Sequence, residues 1–486
     1  MSKNRSPIVT ILGHVDHGKT TLLDSIRKSK IASGEHGGIT QRIGGYEIKT
    51  KISGYDNDVI TFIDTPGHEA FSKLRSRGAT VADIAILIID AVDSVMPQTI
   101  ESIAHIKEAK IPYIVAINKI DLPGAKPEKV KKDLLKYEVV TEGLGGEVPT
   151  VLISASKNEG ITELLESLLL ISSEIDLKYD PKNPVQAYII ETNKDRRGTV
   201  VSAIIKDGSL HVGDTVYTNS EKIRIRALIN DLGKQVIEVE PSTPFEILGF
   251  SNIPKVGSQI TAKEQEIKKF KSKDDQSVPM QVDMETLLGT STPEAKKLPV
   301  VLKADSHGTL EAILNALKDN DNIEIILSTV GGIHRSDIFL AKSTKAIVIG
   351  FSTTVNNEVK ILAKQEKVVV KTYEIIYELL DELEEVSELI HEKEENEKNL
   401  KAQANILATF VLDGENAVGG LVTKGKVNIG DNVEVYRNNK LIGKTKLISL
   451  RIRAKTVQEV KKDQEFGMQT NPVLDIKQGD VVKFIL

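Results

Sequence analysis

The nine residues GHVDHGKTT, 13 to 21, limit what this chain can fold into more than any other stretch. They follow PIVTIL, a short β-branched apolar run, and precede TLLDSIRK, whose apolar residues recur at helical spacing. Gly13, Gly18, Lys19 and Thr20 satisfy G-x-x-x-x-G-K-[ST] at a strand-to-helix turn, where main-chain N–H groups and a helix N-terminus surround phosphate. The main chain supplies most anion contacts in such a loop, so His14, Val15, Asp16 and His17 line it while their side chains stay free, and Thr21 continues it into the helix. Lys19 is placed to reach the β and γ phosphates, and the Thr20 hydroxyl to ligate Mg²⁺. Asp16 need not face the ligand. His14 and His17 have no metal-like partners in sequence, so packing or hydrogen bonding suits them better.

A chain of 486 residues exceeds what one hydrophobic core serves, so several domains are expected. The longest compact apolar run, IAILIIDA at 84–91, is too short to cross a bilayer and reads as a buried parallel strand. The start enters a strand almost at once, leaving no room for a secretory signal, and no membrane association is expected. Cysteine is absent, which excludes disulfides and thiolate metal sites and suits a reducing compartment. The net charge of −5 is uneven: Glu374 to Lys398 holds eleven acidic residues against two lysines, whereas Ala404 to Leu486 holds thirteen Lys/Arg and nine Asp/Glu. The last segment therefore permits an RNA partner.

The alternation of strands and helices sets the organisation. Over 1–178, PIVTIL, VITFIDT, IAILIID, YIVAINK and TVLISAS alternate with amphipathic stretches, the signature of a mostly parallel sheet covered by helices. Over 179–265, short β-rich runs and turns predict an antiparallel barrel. Residues 266–297 are polar and read as a linker with a short helix near Met284, 298–371 as a small α/β domain, and 372–403 as a long connecting helix. Residues 404–486 read as a second barrel. The stretches GTVVSAIIKDGSLHVGDTVYTNS and GGLVTKGKVNIGDNVEVYRNN share strand, Gly-Asp turn and strand, which favours two related barrels over hairpins that merely converge on Gly-Asp turns. The fold class is multidomain α/β and β: a P-loop domain, a β-barrel, a small α/β domain, a long connecting helix and a second β-barrel.

Further motifs in order specify the nucleotide. Asp64 ends a strand in DTPGHE, where its carboxylate can hold Mg²⁺ through water and Gly67 can offer its N–H to a γ-phosphate. Asn118, Lys119 and Asp121 form N-K-x-D after another strand. A carboxylate accepting from both the ring N–H and the exocyclic amine rewards guanine over adenine, so the expected ligand is GTP. Ser154, Ala155 and Ser156 close the base pocket, mainly through main-chain N–H groups. Thr40, in GGITQ, lies between the phosphate loop and Asp64; with triphosphate bound its hydroxyl would complete the Mg²⁺ shell, and hydrolysis would remove that contact.

GHVDHGKTT, GGITQ, DTPGHEAF, NKID and SAS together resemble a translational GTPase. RSRGATVADIAILIIDAVDSVMPQT, KADSHGTLEAI, SDIFLAKSTKAIVIGF and the closing EFGMQ…DIKQGDVVKF are similar to bacterial-type translation initiation factor two, bacterial or organellar, over essentially the whole chain from Ser6, though the family's long N-terminal extension is lacking. The resemblance implies that Val15 and Ile39 form an apolar gate beside His68, the residue that positions or polarises the attacking water. It implies that Asp16 points toward the switch and a cation. It also implies that the C-terminal barrel binds the formylmethionyl end of initiator tRNA through Arg451, Glu465, Phe466 and Gly467. Phe466 stands where cysteine is usual, Asp463 where glycine is common, and Arg42 where a histidine is usual; Phe466 either stacks on an adenine, lines an apolar pocket or is a barrel core residue. The partners implied are both ribosomal subunits and initiator tRNA, for a monomer working in the cytoplasm or in an organelle stroma or matrix.

Two other readings compete. An elongation-type GTPase carrying aminoacyl-tRNA shares the first two domains but requires consecutive barrels after residue 265. A non-enzymatic ribosome- or RNA-binding module would use GTP only as a structural ligand, against which Lys19, Thr40 and His68 argue.

Overall fold

The computed structural model describes residues 3–27, 44–50, 52, 54–55, 58–64, 71–218, 221–262, 297–412, 415–438, 440–453 and 455–485. The described residues of Met1–Met284 and Pro299–Leu383 form one compact unit, and those of Glu384–Leu486 form the body of a second. The stretch read as a linker, 266–297, with its short helix, lies outside the described residues save for Lys297.

The N-terminal domain is built on a six-stranded sheet. In spatial order its strands are Gly44–Lys49, Val59–Asp64, Ile8–Leu12, Ile84–Asp90, Tyr113–Asn118 and Thr150–Leu152. All neighbours are parallel except the first pair. Every residue of Ile8–Leu12 and Ile84–Asp90 is buried, because helices cover both faces; that is why these strands are continuous apolar runs and not alternating ones. Helices α1 (Lys19–Arg27), α2 (Ser72–Val81), α3 (Pro97–Ala109), α4 (Pro127–Leu135) and α5 (Ile161–Glu174) follow in order. Leu22 and Leu23 of α1 and Leu164 and Leu168 of α5 pack on Val9, Ile11 and Ile86. Ile103 and Ile106 of α3 and Val130 and Leu134 of α4 pack on Leu12, Leu87 and Val115 of the opposite face.

The first barrel spans strands from Gln186–Asp195 to Gln259–Thr261. It is fastened to the sheet domain by buried polar contacts. Arg5 donates to Asp83 at 2.5 and 2.8 Å, Lys206 lies 3.3 Å from the same carboxylate, and Thr61 Oγ1 donates to the Ser242 carbonyl at 2.7 Å.

The α/β domain has a four-stranded sheet in the order Ile323–Val330, Leu298–Ala304, Ile347–Phe351 and Val370–Tyr373. Its helices are α6 (His307–Ala316), α7 (Arg335–Thr344) and α8 (Asn357–Glu366). The last strand corrects the sequence reading, which began a helix at 372. Val370–Tyr373 pairs in register with Val348–Phe351, and α9 runs Ile376–Lys398, so the helical apolar spacing of YEIIYELL had been extended one turn too early. Three domains meet at the start of α6. Glu191 of the first barrel accepts the Gly308 N–H at 3.1 Å, and Lys73 and Arg77 of α2 hold Glu311 at 3.0 and 2.6 Å. A Cβ on Gly308 would lie 2.4 Å from Glu191 Oε2 and 2.8 Å from Leu74 Cδ2, so a larger residue would have to push these side-chain ends aside.

The second barrel begins at Leu400, not 404, and ends at Val481–Ile485. It repeats the strand pairing of the first. Hairpins Gln186–Asp195/Gly198–Asp207 and Leu400–Leu412/Glu415–Asn428 each pair their first strand with the last strand of the barrel. Their second strands pair with Pro244–Leu248 and Glu465–Asn471, and the last strands pair with Thr215–Tyr217 and Asn432–Arg437. The Gly-Asp turns match in detail. Asp214 accepts the His211 N–H and Asp431 the Asn428 N–H, both at 2.8 Å, with glycine φ of 95° and 94°. The carbonyls of Asp214 and Asp431 then accept Ile225 and Leu447 N–H at 2.9 and 3.0 Å. Hairpin convergence does not reach such distant partners.

Candidate functional site

The phosphate-binding sequence occupies the expected strand-to-helix turn, between Ile8–Leu12 and α1. His14 leads into a short 3₁₀ turn, Val15–His17, which ends on Gly18 at φ 90°. A Cβ on Gly18 would meet Asn118 Nδ2 at 2.5 Å, so the loop lies directly on the N-K-x-D segment. Lys19 is buried and donates to the carbonyls of Gly13 and His14 at 3.0 and 2.5 Å. Burial pulls its ammonium down to about 7, against the opposing pull of the Asp64 carboxylate. A buried cation held by its own loop carbonyls at a helix N-terminus is suited to a polyanion. Asp16 is exposed, Thr20 half-buried and Thr21 exposed.

The two loop histidines pack. His17 is fully buried, its Nδ1 3.3 Å from the Ile88 carbonyl and its ring 5.2 Å from that of His14. Burial drives His17 down to about 4 and lowers His14 as well, so both are neutral near pH 7. Val15 departs from its expected place among the phosphate donors, because its N–H donates to Gln98 Oε1 of α3 at 3.0 Å. Nothing in the local sequence signals Gln98, which lies 83 residues away in the chain.

Asn118 joins the parts. Its Nδ2 donates to the His17 carbonyl at 2.9 Å, and its Oδ1 accepts the Ala155 N–H at 3.0 Å. One side-chain amide thereby fixes the phosphate loop against the Ser154-Ala155-Ser156 loop. Lys119, at φ 61°, reaches back to Asp90 at 2.7 Å. Asp121 accepts from the Ser154 hydroxyl at 2.7 Å, and that bond holds its carboxyl below the usual carboxylate range. Ser156 Oγ lies 3.2 Å from Ser154 Oγ. The Ser154 N–H donates to Glu159 and the Ala155 N–H to Asn118, so both are engaged within the protein, unlike the base-facing donors the sequence suggests.

Asp64 is buried at the end of its strand, in register with Ile11 before the phosphate loop. The Thr20 hydroxyl, in the first turn of α1, and the Asp64 carboxylate, at the end of its strand, are hard oxygen donors, a set that suits Mg²⁺. Ile39, Thr40, Arg42, Gly67 and His68 lie outside the described residues.

In the second barrel, Arg451 and Gly467 are cross-strand partners, and Glu465 is exposed two residues before Gly467. Of the three readings of Phe466, its position fits the barrel core residue. It is 4% exposed, packed edge-on to Phe484 at 6.3 Å within the barrel core. Strand alternation turns it inward when its neighbours Glu465 and Gly467 face out. Asp463 sits at φ 63°, the conformation that explains a glycine preference there.

Residues 4–173 match the family described as Elongation factor Tu GTP binding domain, 184–263 that of Elongation factor G domain 2, and 273–384 that of Translation-initiation factor 2. Over 99% of its length the chain is 41% identical to translation initiation factor IF-2 of Bartonella henselae, covering 58% of that protein. Against the IF-2 of Brucella canis the figures are 42% identity, 99% of this chain and 51% of that protein. The chain thus spans about half the length of the curated relatives it matches. The crystal structure of GDP-bound aIF5B from Aeropyrum pernix is similar at 27% identity and a TM-score of 0.47, covering 99% of this chain and 92% of that one.

Proposed function

The chain belongs to the translation initiation factor IF-2 family, and from that premise we propose that it is a ribosome-stimulated GTPase of translation initiation. It binds GTP, promotes the binding of formylmethionyl initiator tRNA to the small subunit and subunit joining, then hydrolyses GTP and leaves the ribosome, as a monomer in the cytoplasm. Among the described residues, no helix is long and apolar enough to cross a membrane.

What best supports nucleotide binding is the Asn118 amide, bonded at once to the phosphate loop and to the loop that closes the base pocket. Lys19 neutralises the terminal phosphates, and Asp121, kept ionised by Ser154, accepts from guanine. Thr20, Asp64 and Thr40 would hold Mg²⁺, which would supply charge neutralisation at the phosphates when bound. His68 orients the attacking water, with Val15 and Ile39 closing the approach. Arg451, Glu465 and Gly467 form the outward surface of the second barrel that takes the initiator end, with Phe466 supporting it from the core.

The elongation-type reading is not favoured, since a four-stranded α/β domain and α9 stand between the two barrels. Asp121→Asn is expected to move preference from guanine toward xanthine nucleotides in a competition assay; unchanged GTP selectivity would remove Asp121 from the base pocket. Filter binding should retain formylated initiator tRNA over the unformylated form, and equal retention would argue for a different cargo.

A further inference from the structure

Helix α3 carries three polar side chains, Gln98, Glu101 and His105, at a spacing that puts them on one face. Gln98 takes the Val15 N–H of the phosphate loop. One turn on, Glu101 holds Arg75 of α2 at 2.6 Å and His105 at 3.1 Å, and His105 Nε2 lies 3.5 Å from Ser72 Oγ, the first residue of α2. Arg75 is fully buried, and the Glu101 contact is one of those that hold it. A single helix face thus grips the phosphate loop at one end and, at the other, the helix that follows the His68 segment. The nucleotide chemistry described above uses none of these α3 side chains.

The contact to Val15 is the informative one. A main-chain N–H at the third position of a phosphate loop is available to an anion unless something else accepts it, and here a side-chain amide oxygen does. The Val15 main chain is therefore held from outside the nucleotide pocket by a bond that no phosphate makes, and the same Gln98 side chain also bonds the His14 ring. We infer that Gln98 is a positioning residue for GTP hydrolysis, fixing Val15 as one wall of the apolar approach to the attacking water while touching neither nucleotide nor water. The inference rests on the GTPase reading proposed above. It separates binding from turnover: losing the acceptor frees Val15 to turn, whereas Lys19, Asn118 and Asp121 keep their own contacts and hold GTP as before.

Gln98→Met keeps the length of the side chain and removes the acceptor. Gln98→Glu restores an acceptor, in the first turn of α3 where a negative charge is favoured. In the full chain, with purified bacterial ribosomes, Gln98→Met should lower kcat for GTP by about tenfold, the scale of a modest misplacement of a reacting group. GTP affinity should stay within about twofold and the melting temperature should not move, and Gln98→Glu should recover most of the rate. A wild-type kcat in Gln98→Met, a parallel loss of GTP affinity or melting temperature, or no recovery in Gln98→Glu would each overturn the role. If the unmodified chain neither binds nor hydrolyses GTP with ribosomes present, the GTPase reading itself fails, and that result is distinguishable because it needs no variant.

Discussion

The first and second barrels share one frame and put different side chains on it. At the third turn, Gly257 and Gly479 donate to the carbonyls of Ile189 and Ile406 at 2.8 and 3.0 Å, but the residues that follow are Ser258 and Asp480. Asp480 is buried and takes a two-pronged contact from Arg437 at 2.9 Å on each oxygen, where Ser258 only donates to the Lys255 carbonyl. Ser242 and Asp463 share the left-handed conformation, with φ of 69° and 63°. Ser242 is buried and donates to Ser6, and Asp463 is exposed. Strand register also places Glu191 of the first barrel opposite Ser202 where the second has Ala408 opposite Gly419. Main-chain hydrogen bonds therefore specify the barrel, and the side chains placed on it differ: the first barrel uses Glu191 and Ser242 on neighbours in the same unit, where the second has the half-buried Ala408 and the exposed Asp463.

The strongest way to break the comparison is at its core. Phe245 and Phe466 are register-equivalent, paired with Ala203 and Gly420, and both are buried. Truncating either to alanine should destabilise its barrel by about 3–5 kcal/mol, measured by denaturant unfolding. If Phe466→Ala leaves stability intact and abolishes only initiator-tRNA binding, the ring is a ligand contact and the equivalence fails. Next, Asp480→Ala should cost about 1.5–3 kcal/mol, since it removes two bonds from Arg437 and the Lys477 N–H bond while Arg437 keeps the Asp475 carbonyl, against about 1 kcal/mol for Ser258→Ala. Equal losses at the two positions would mean the ion pair adds nothing.

Acid and base should separate the barrels too. The Arg437 guanidinium holds Asp480 below the usual carboxylate range, so its stabilisation is present above that range and lost as pH falls through the depressed value. Burial raises Glu191 to about 7, so its contribution is present below the ordinary glutamate range and lost as pH climbs toward 7. Thermal unfolding of Asp480→Asn should lose the acid-side dependence, and that of Glu191→Gln the dependence between about pH 4.5 and 7, with a gain of about 1–3 kcal/mol at pH 8. A Glu191→Gln profile that overlays the parent would place Glu191 in an ordinary carboxyl environment. The smallest effect is expected from glycine at the left-handed positions: Asp463→Gly should stabilise by about 0.5–1 kcal/mol, whereas Ser242→Gly should destabilise because it loses the Ser6 and Arg5 contacts.

The sequence carried the parts of this molecule whose logic is local. A phosphate loop is nine consecutive residues, and the strands around it are apolar at every position, so both stand out. The edge strand Gly44–Lys49 does not, because it is half-exposed and opens on two glycines. Tyr373 reads as helical because the apolar spacing of the following residues runs back through it, while the strand it joins is specified by pairing with Phe351. The same holds in the site. N-K-x-D marks the candidates for meeting a base, yet that the Ala155 N–H is taken by Asn118, or the Val15 N–H by Gln98, depends on contacts between distant segments. Phe466 shows the limit most plainly: its neighbours face outward, and one step of strand alternation sends it to the core.

Gly308 leaves no room for a Cβ unless the ends of Leu74 of α2 and Glu191 of the first barrel give way. The missing side chain is thus a fit shared by three domains, and any larger residue there would be felt in all of them at once.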